Sequence, residues 1–144
     1  MVDRQLGMLI YGKEAWMTLN ISVKQQAQDA WVVSLEGSLN SDTALAFGER
    51  IRPLLNRPGF TLVLDMDGLK YISSAGLREI FKAQKAGKAA SGKVLFMRLQ
   101  PQVRKVFDII NALPSMRVFS SVQEMDDYLD TMQRQVTHPD EFDD

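Results

Sequence analysis

From residue 60 onward, three short strand-like runs alternate with three segments whose apolar residues recur at helical spacing. The runs cover residues 60–64, 94–97 and 117–119. Short apolar runs are typical of buried strands, and recurrence every three or four residues is typical of amphipathic helices. Because strands that alternate with helices pair in parallel through right-handed crossovers, this alternation predicts a parallel sheet with helices packed against it.

The first half of the chain predicts an antiparallel hairpin and one helix. Residues 17–23 alternate between apolar and polar, which is the period of a half-buried strand. Residues 24–29 are polar and turn-like, and residues 31–35 form a second strand that Gly37 ends. Polar residues at 40–42 offer N-caps for the helix that follows. The predicted fold is therefore α/β, a mixed central sheet with an N-terminal antiparallel hairpin and then parallel strands, in the order β-β-α-β-α-β-α-β-α.

Length and composition restrict the class of protein. A chain of 144 residues suits one domain with its own core. We expect an N-terminal extension over residues 1–16, a domain over residues 17–135 and an acidic flexible tail over residues 136–144. The net charge of −1 indicates neither a nucleic-acid surface nor a polybasic membrane patch, and no apolar run is long enough to span a bilayer. The absence of cysteine excludes disulfides, thiolate metal sites and cysteine nucleophiles, and it fits a reducing compartment.

Residues 87–93 match the G-x-x-x-x-G-K half of a phosphate-binding P-loop. The Ser or Thr that completes this motif is replaced by Val94, and the segment ends a predicted helix instead of opening one. The pattern therefore favours a helix C-cap followed by a turn, with a lysine near the negative end of the helix.

Two carboxylates follow the strand predicted at residues 60–64. The segment Asp65-Met66-Asp67-Gly68 resembles the first motif of haloacid-dehalogenase-type phosphotransferases, in which the first Asp is a nucleophile, the second is a general acid/base, and both help to hold magnesium. That family places the motif near its N-terminus, whereas here it lies mid-chain. The pattern favours a turn whose Asp side chains bond the local backbone. A magnesium-dependent phosphotransferase using Asp65 and Asp67 remains an alternative.

Ser73 and Ser74 lie where the third predicted strand passes into a helix. Free backbone N–H groups and the helix dipole make such a junction suitable for a phosphate, either bound or covalently attached. A serine hydrolase is disfavoured, because Ile72 replaces the glycine of a nucleophile elbow and the single histidine, His138, lies in the acidic tail. The simplest structural role for either serine is to cap the helix.

Four segments, in order along the chain, resemble parts of one known family. They are residues 35–40, 62–69, 72–77 and 103–107, with the sequences LEGSLN, LVLDMDGL, ISSAGL and VRKVF. Together with the order of strands and helices, they resemble the STAS domain of bacterial anti-sigma factor antagonists over residues 17–133. The resemblance places the phosphoacceptor serine of that family on Ser74. Acidic positions of the family pattern fall on Ser73 and Asn40, which are neutral here. The missing Asp at position 73 bears on how efficiently Ser74 is phosphorylated and by which kinase.

The resemblance implies a regulatory binding protein and not an enzyme, with no cofactor and no metal. Its unphosphorylated form would bind an anti-sigma factor that is also a serine kinase, and would so release a sigma factor or another client. The kinase would phosphorylate Ser74, with Ser73 as the less favoured acceptor, and a PP2C-type phosphatase would reverse the step. The implied partner surface comprises Asn40, Met66, Ser73, Ser74, Ala75, Gly76 and Leu77.

Neither a nucleic acid nor a membrane is expected as a partner, and the implied location is the cytoplasm. A STAS module that senses a nucleotide or a small ligand in another signalling assembly is a further alternative.

Overall fold

The computed structural model describes residues 18–137, with side chains as far as residue 131. The predicted order of strands and helices is confirmed. The elements are β1 (Leu19–Ala27), β2 (Ala30–Leu39), α1 (Ala44–Ile51), β3 (Thr61–Ile72), α2 (Ser74–Ala90), β4 (Lys93–Met97), α3 (Pro101–Ile109), β5 (Arg117–Phe119) and α4 (Val122–Thr137). Short 3-10 turns, Arg52–Leu55 and Leu113–Ser115, follow α1 and α3. The extension predicted for residues 1–16 and the tail from His138 onward lie outside the described residues.

The five strands form one mixed sheet in the order β1-β2-β3-β4-β5. β1 is antiparallel to β2, and the β2/β3, β3/β4 and β4/β5 pairs are parallel, which confirms the prediction. Because successive parallel strands are added in one direction through right-handed crossovers, α1, α2 and α3 lie on the same face of the sheet. α4 follows the last strand and packs on the opposite face.

Each face of the sheet has its own core. Beneath the first three helices, Phe47, Ile80 and Phe107 are buried against strand residues such as Leu64 and Phe96. Beneath α4 the buried residues are Val63, Leu95, Met97, Phe119 and Met125. On that same face β1 exposes the polar side chains Asn20, Ser22 and Lys24. The α4 face is therefore apolar over one part of the sheet and polar over the other.

β3 is longer than the sequence predicts. Residues 65–68 are predicted to form a turn after Leu64, whereas β3 continues to Ile72. The cause is the neighbouring β2, which extends to Leu39 and pairs with β3 as far as the Leu39–Ile72 position. A register shift within residues 65–68 takes up one extra residue of β3 as a bulge. The predicted turn is wrong, because pairing along β2 overrides the local turn propensity.

The P-loop-like segment closes α2 in the way the sequence predicts. α2 ends at Ala90, and Ser91 adopts a left-handed backbone conformation with φ of 56°. The Gly92 N–H donates to the Gly87 carbonyl at 2.7 Å. This bond is the six-to-one closure of a Schellman motif, so the predicted C-cap and turn are confirmed.

Candidate functional site

Ser73 joins the end of β3 to the start of α2. Its backbone is extended, with φ −101° and ψ 176°, and its N–H donates to the Leu39 carbonyl at the end of β2 over 2.9 Å. Its Oγ accepts a long hydrogen bond, 3.4 Å, from the Gly76 N–H, which makes Ser73 the N-cap of α2. The capping role predicted for one of the two serines is thereby confirmed for Ser73.

Ser74 is the first residue of α2, and its side chain is exposed. Within the part of the chain that the structure describes, its hydroxyl has no hydrogen-bond partner. The N–H groups of a first helical turn lack intrahelical acceptors, and the helix dipole is positive at this end. A negative group on the Ser74 oxygen would therefore lie in a favourable field. The structure thus distinguishes the two hydroxyls, since Ser73 is engaged in capping and Ser74 faces solvent.

Gly76 is buried beneath the first turn of α2. A Cβ at this position would lie 2.7 Å from Leu39 Cγ and 2.8 Å from the Leu39 carbonyl oxygen. The absence of a side chain therefore lets α2 start directly on the end of β2. Gly76 shapes the predicted partner surface from below, while Ala75 and Leu77 are half-buried and pack against the core.

Met66 is predicted to form part of the partner surface, and the structure contradicts this prediction. Its side chain has 0% exposure and packs in the core beneath α1, α2 and α3. The reason is the extension of β3, because a residue expected in an exposed turn instead points inward from a strand. Met66 offers no side-chain surface to a partner.

The Asn40 side chain organises the loop between β2 and α1. Its Oδ1 accepts hydrogen bonds from the backbone N–H groups of Asp42 at 2.9 Å and Thr43 at 3.2 Å. The Thr43 hydroxyl donates to the Ser38 carbonyl at 2.8 Å, and the Asn40 N–H donates to the Thr43 Oγ at 2.9 Å. The N-cap of α1 is Thr43, one residue beyond the range 40–42 predicted for it. This loop lies beside Ser73, because Leu39 directly precedes it.

Two exposed apolar side chains, one in β3 and one in α1, are not among the predicted contact residues. Tyr71 is 54% exposed near the end of β3, and Leu45 is 65% exposed in the first turn of α1. Both belong to elements that end or begin where β2, β3 and α2 meet. Leu45 lies off the stripe of Ala44, Phe47 and Ile51 that α1 buries, whereas the exposure of Tyr71 depends on which elements the fold places against it.

A polar pocket of about 240 Å³ opens on the α4 face of the sheet. Its lining includes Glu36, Asp65, Asp67 and Arg98, together with polar side chains of β1 and β2. Arg98 binds Asp65 through two bonds, Nε to Oδ1 at 3.3 Å and a terminal nitrogen to Oδ2 at 2.7 Å. Donating hydrogen bonds to the Asp65 carboxylate holds the pKa of the Arg98 guanidinium above its usual value.

Asp65 is therefore fully engaged. Its Oδ1 also accepts a hydrogen bond from the Asp67 N–H at 3.2 Å, which confirms the predicted bond from an Asp side chain to the local backbone. Asp65 is only 11% exposed, so neither oxygen is free to attack a substrate.

In the part of the chain that the structure describes, no three His, Asp or Glu side chains are grouped so that they could hold a metal ion. Over the same residues, no helix combines the length and the apolar character that crossing a bilayer requires.

Comparison with known proteins places the chain in a family. BtrV of Bordetella bronchiseptica is 32% identical to this chain over 90 residues, which are 62% of this chain and 78% of BtrV. BtrV is provisionally named an anti-sigma factor antagonist. The structure of the anti-sigma factor antagonist SpoIIAA in its unphosphorylated form aligns with a TM-score of 0.68 at 18% identity, over 78% of this chain and 97% of SpoIIAA. Phosphorylated SpoIIAA of Bacillus aligns with a TM-score of 0.63 at 18% identity, over 76% and 99%. The STAS domain family matches residues 20–125, and the chain belongs to that family.

Proposed function

We propose that this protein is an anti-sigma factor antagonist whose binding to an anti-sigma factor is controlled by phosphorylation of Ser74. The observation that carries the proposal is the exposed Ser74 hydroxyl, which has no partner within the described residues, at the start of a helix. Membership of the STAS family and similarity to BtrV and SpoIIAA support it, and one SpoIIAA structure is of a phosphorylated form. The proposed partner is an anti-sigma factor that is also a serine kinase, acting in the cytoplasm.

In the proposed modification, Ser74 Oγ attacks the γ-phosphorus of an ATP molecule held by the kinase. An Oγ–P bond forms, the bond from that phosphorus to the bridging oxygen breaks, and ADP leaves. The hydroxyl proton passes to a base that the kinase supplies. A PP2C-type phosphatase would hydrolyse the Oγ–P bond with water and return the serine and inorganic phosphate.

The phosphate acts on binding and leaves the fold unchanged. It adds about −1.5 to −2 charges. At the first residue of α2 this charge is compatible with the helix dipole and with free N–H groups. In a closely packed interface the same charge is costly, because the phosphate loses its hydration without gaining a hydrogen bond or an ion pair. The unphosphorylated protein is therefore the form that binds the anti-sigma factor.

Variants at Ser74 test the proposal directly. Ser74→Ala should bind the cognate anti-sigma factor as tightly as the parent protein, and Ser74→Asp should bind at least about tenfold more weakly, because ~1.4 kcal/mol corresponds to that factor. Ser91→Asp is the matched control, since Ser91 is an exposed serine at the other end of α2 and Asp accepts a left-handed backbone. Calorimetry measures the affinities. Equal, tight binding by Ser74→Ala and Ser74→Asp would refute the switch.

Mass spectrometry after incubation with ATP and the kinase locates the acceptor. The phosphate should be found on Ser74 in the parent protein, and Ser74→Ala should take up none. Transfer to Ser73 in the parent protein would contradict the assignment of the acceptor.

The engagement of Asp65 supports a binding protein over a magnesium-dependent phosphotransferase. A nucleophilic aspartate needs a free oxygen near the substrate, whereas Arg98 and the Asp67 N–H occupy both oxygens of Asp65. We expect Asp65→Asn to retain binding of the anti-sigma factor. Hydrolysis of phosphoesters by the pure protein with magnesium, lost in Asp65→Asn, would favour the enzyme instead.

The polar pocket bears on the alternative of a ligand-sensing module. Three carboxylates, from Glu36, Asp65 and Asp67, face one guanidinium that is already paired. This charge disfavours the phosphates of a nucleotide and suits a small neutral or cationic molecule. A rise in the melting temperature with ATP or GTP, abolished by Arg98→Gln, would contradict this assignment.

A further inference from the structure

We propose that Arg78 binds the phosphate of phosphorylated Ser74 and so forms a clamp within α2. The inference rests on the proposed modification of Ser74 and extends it to the residue that receives the phosphate. The unphosphorylated protein would present a free guanidinium beside the acceptor hydroxyl. The phosphorylated protein would present an ion pair in its place.

Helix geometry places the two side chains together. Ser74 and Arg78 are four residues apart in α2, and both are exposed. Residues at this spacing lie on the same face of a helix, with Cβ atoms about 5–6 Å apart. Long side chains in a helix tend to point back toward its N-terminus, so the Arg78 guanidinium can reach a phosphate on Ser74.

Arg78 has no competing partner. Within the described residues its guanidinium forms neither an ion pair nor a hydrogen bond. Glu79, the one acidic residue of α2, is directed elsewhere: its carboxylate packs against Gly48 of α1 and binds Lys82 at 3.1 Å. The cation nearest to Ser74 along the helix is therefore available.

The chemistry of the pair favours binding. A guanidinium presents two parallel N–H donors that match two phosphate oxygens, and charge-assisted bonds of this type are stronger than neutral ones. An anion placed four residues before a cation is the favourable order in a helix. The phosphate also lies at the positive end of the helix dipole.

The clamp gives one modification two effects on the surface. Phosphorylation adds negative charge at Ser74, and it also pairs the Arg78 guanidinium, which is then no longer a free cation on the exposed face of α2. A partner that uses an acidic group to bind the unphosphorylated face would lose its contact and meet an anion in the same event.

Titration of an installed phosphoserine tests the clamp without a kinase. Phosphoserine is incorporated at position 74 by genetic code expansion, and ³¹P NMR follows the second pKa of the phosphate. A neighbouring cation lowers this pKa, so Arg78→Gln should raise it by about half a unit. Lys85→Gln is the matched control, because Lys85 is an exposed lysine of α2 that lies about 16 Å along the helix from Ser74. Lys70→Gln is a second control, because Lys70 is the exposed cation that precedes the serines in β3.

The expected result is a change with Arg78→Gln and none with Lys85→Gln or Lys70→Gln. An unchanged phosphate pKa in Arg78→Gln, or an equal change in either of the other two variants, would overturn the clamp. Because the phosphate is installed and not transferred, this failure is distinct from failure of the proposed function, which depends on the kinase selecting Ser74. Thermal melts of the unphosphorylated variants should match the parent, since all three side chains are exposed.

Discussion

Arg98 and Asp65 form a two-bond ion pair that fastens the segment after β4 to the middle of β3. Arg98 adopts a left-handed backbone conformation with φ of 58°, which is uncommon for a residue with a side chain. Two residues later, the Gln100 side-chain amide donates to the Asp67 carbonyl. The start of α3 thus holds the second half of β3, the half that leads to Ser73.

Loss of the Asp65 charge should destabilise the fold. Asp65→Asn leaves Arg98 without its anion but keeps an oxygen for the Asp67 N–H, so we expect a loss of about 1–2 kcal/mol in the free energy of unfolding. This is less than for a fully buried pair, because the Arg98 side chain is 36% exposed. Asp67→Asn is the control, since Asp67 is exposed and forms no ion pair within the described residues. Urea unfolding measures both, and equal stabilities would contradict the prediction.

The dependence of this effect on pH follows from Arg98. The pKa of the Arg98 guanidinium is raised in the folded protein. The ion pair therefore contributes fully to stability below the pKa that Arg98 has in the unfolded chain, and this contribution is lost only as pH rises through the pKa that it has in the folded protein. Both lie above the working range, since arginine is protonated to above about pH 12. The stability difference between the parent and Asp65→Asn should therefore stay constant from about pH 7 to pH 9. A steady decline over that range would show that another group controls the pair.

Gly76→Ala should destabilise the protein although alanine is the better helix former. The new methyl group would lie 2.7 Å from Leu39 Cγ and 2.8 Å from a backbone oxygen, so we expect a cost of about 1–3 kcal/mol. Gly87→Ala is the matched control in the same helix, because its Cβ would meet its nearest neighbour, Val94 Cγ2, at 3.4 Å. That variant should be neutral or more stable by up to ~1 kcal/mol. Denaturant midpoints compare the two, and equal effects would mean that α2 moves to accept the methyl group.

Substitution of Ser73 should lower stability, whereas substitution of Ser74 should abolish phosphorylation. Ser73→Ala removes the N-cap of α2 and should cost about 0.5–1 kcal/mol, toward the low end because the bond is long. Ser74→Ala should change stability by less than about 0.5 kcal/mol, because its hydroxyl is exposed. In a kinase assay the order reverses, with uptake of phosphate lost in Ser74→Ala and kept in Ser73→Ala. The same pattern in both assays would contradict the division of roles.

Tyr71 should contribute to partner binding and Met66 should not. Tyr71 is 54% exposed beside the serines, so Tyr71→Ala should weaken binding of the anti-sigma factor about fivefold or more, a loss of ~1 kcal/mol. Met66→Leu keeps the volume of a fully buried side chain and should leave affinity unchanged. Ile109→Ala serves as the exposed control, since Ile109 is 72% exposed and is the last residue of α3. Calorimetry measures the affinity of all three variants. A similar loss of affinity in Ile109→Ala would show that the effect of Tyr71→Ala is not specific to its position.

Local patterns were sufficient to predict the order of the elements. The alternation of apolar runs with helical stripes predicts the parallel strands, and residues 87–93 contain the signal that ends α2. A serine N-cap, Ser73 or Ser74, also follows from the position of the two serines before a helical stripe, and the structure selects Ser73. In each case the information lies within a few residues of the feature.

Features that depend on distant partners were not predicted. The turn predicted at residues 65–68 fails because β2 continues beside it, and the burial of Met66 follows from that pairing. The contact between Arg98 and Asp65 joins residues 33 apart in sequence, and no local pattern indicates it. The exposure of Tyr71 depends likewise on what the fold leaves uncovered.

β2 and β3 end side by side, with Leu39 opposite Ile72 and the Leu39 carbonyl bound to the Ser73 N–H. The spacing between the end of β2 and the start of α2 is therefore fixed by main-chain bonds. Exposed side chains such as Leu45, Tyr71 and Arg78 take no part in these main-chain bonds and can vary without displacing the Ser74 oxygen. The position of the Ser74 oxygen and the chemistry of the surface around it can therefore change independently of each other.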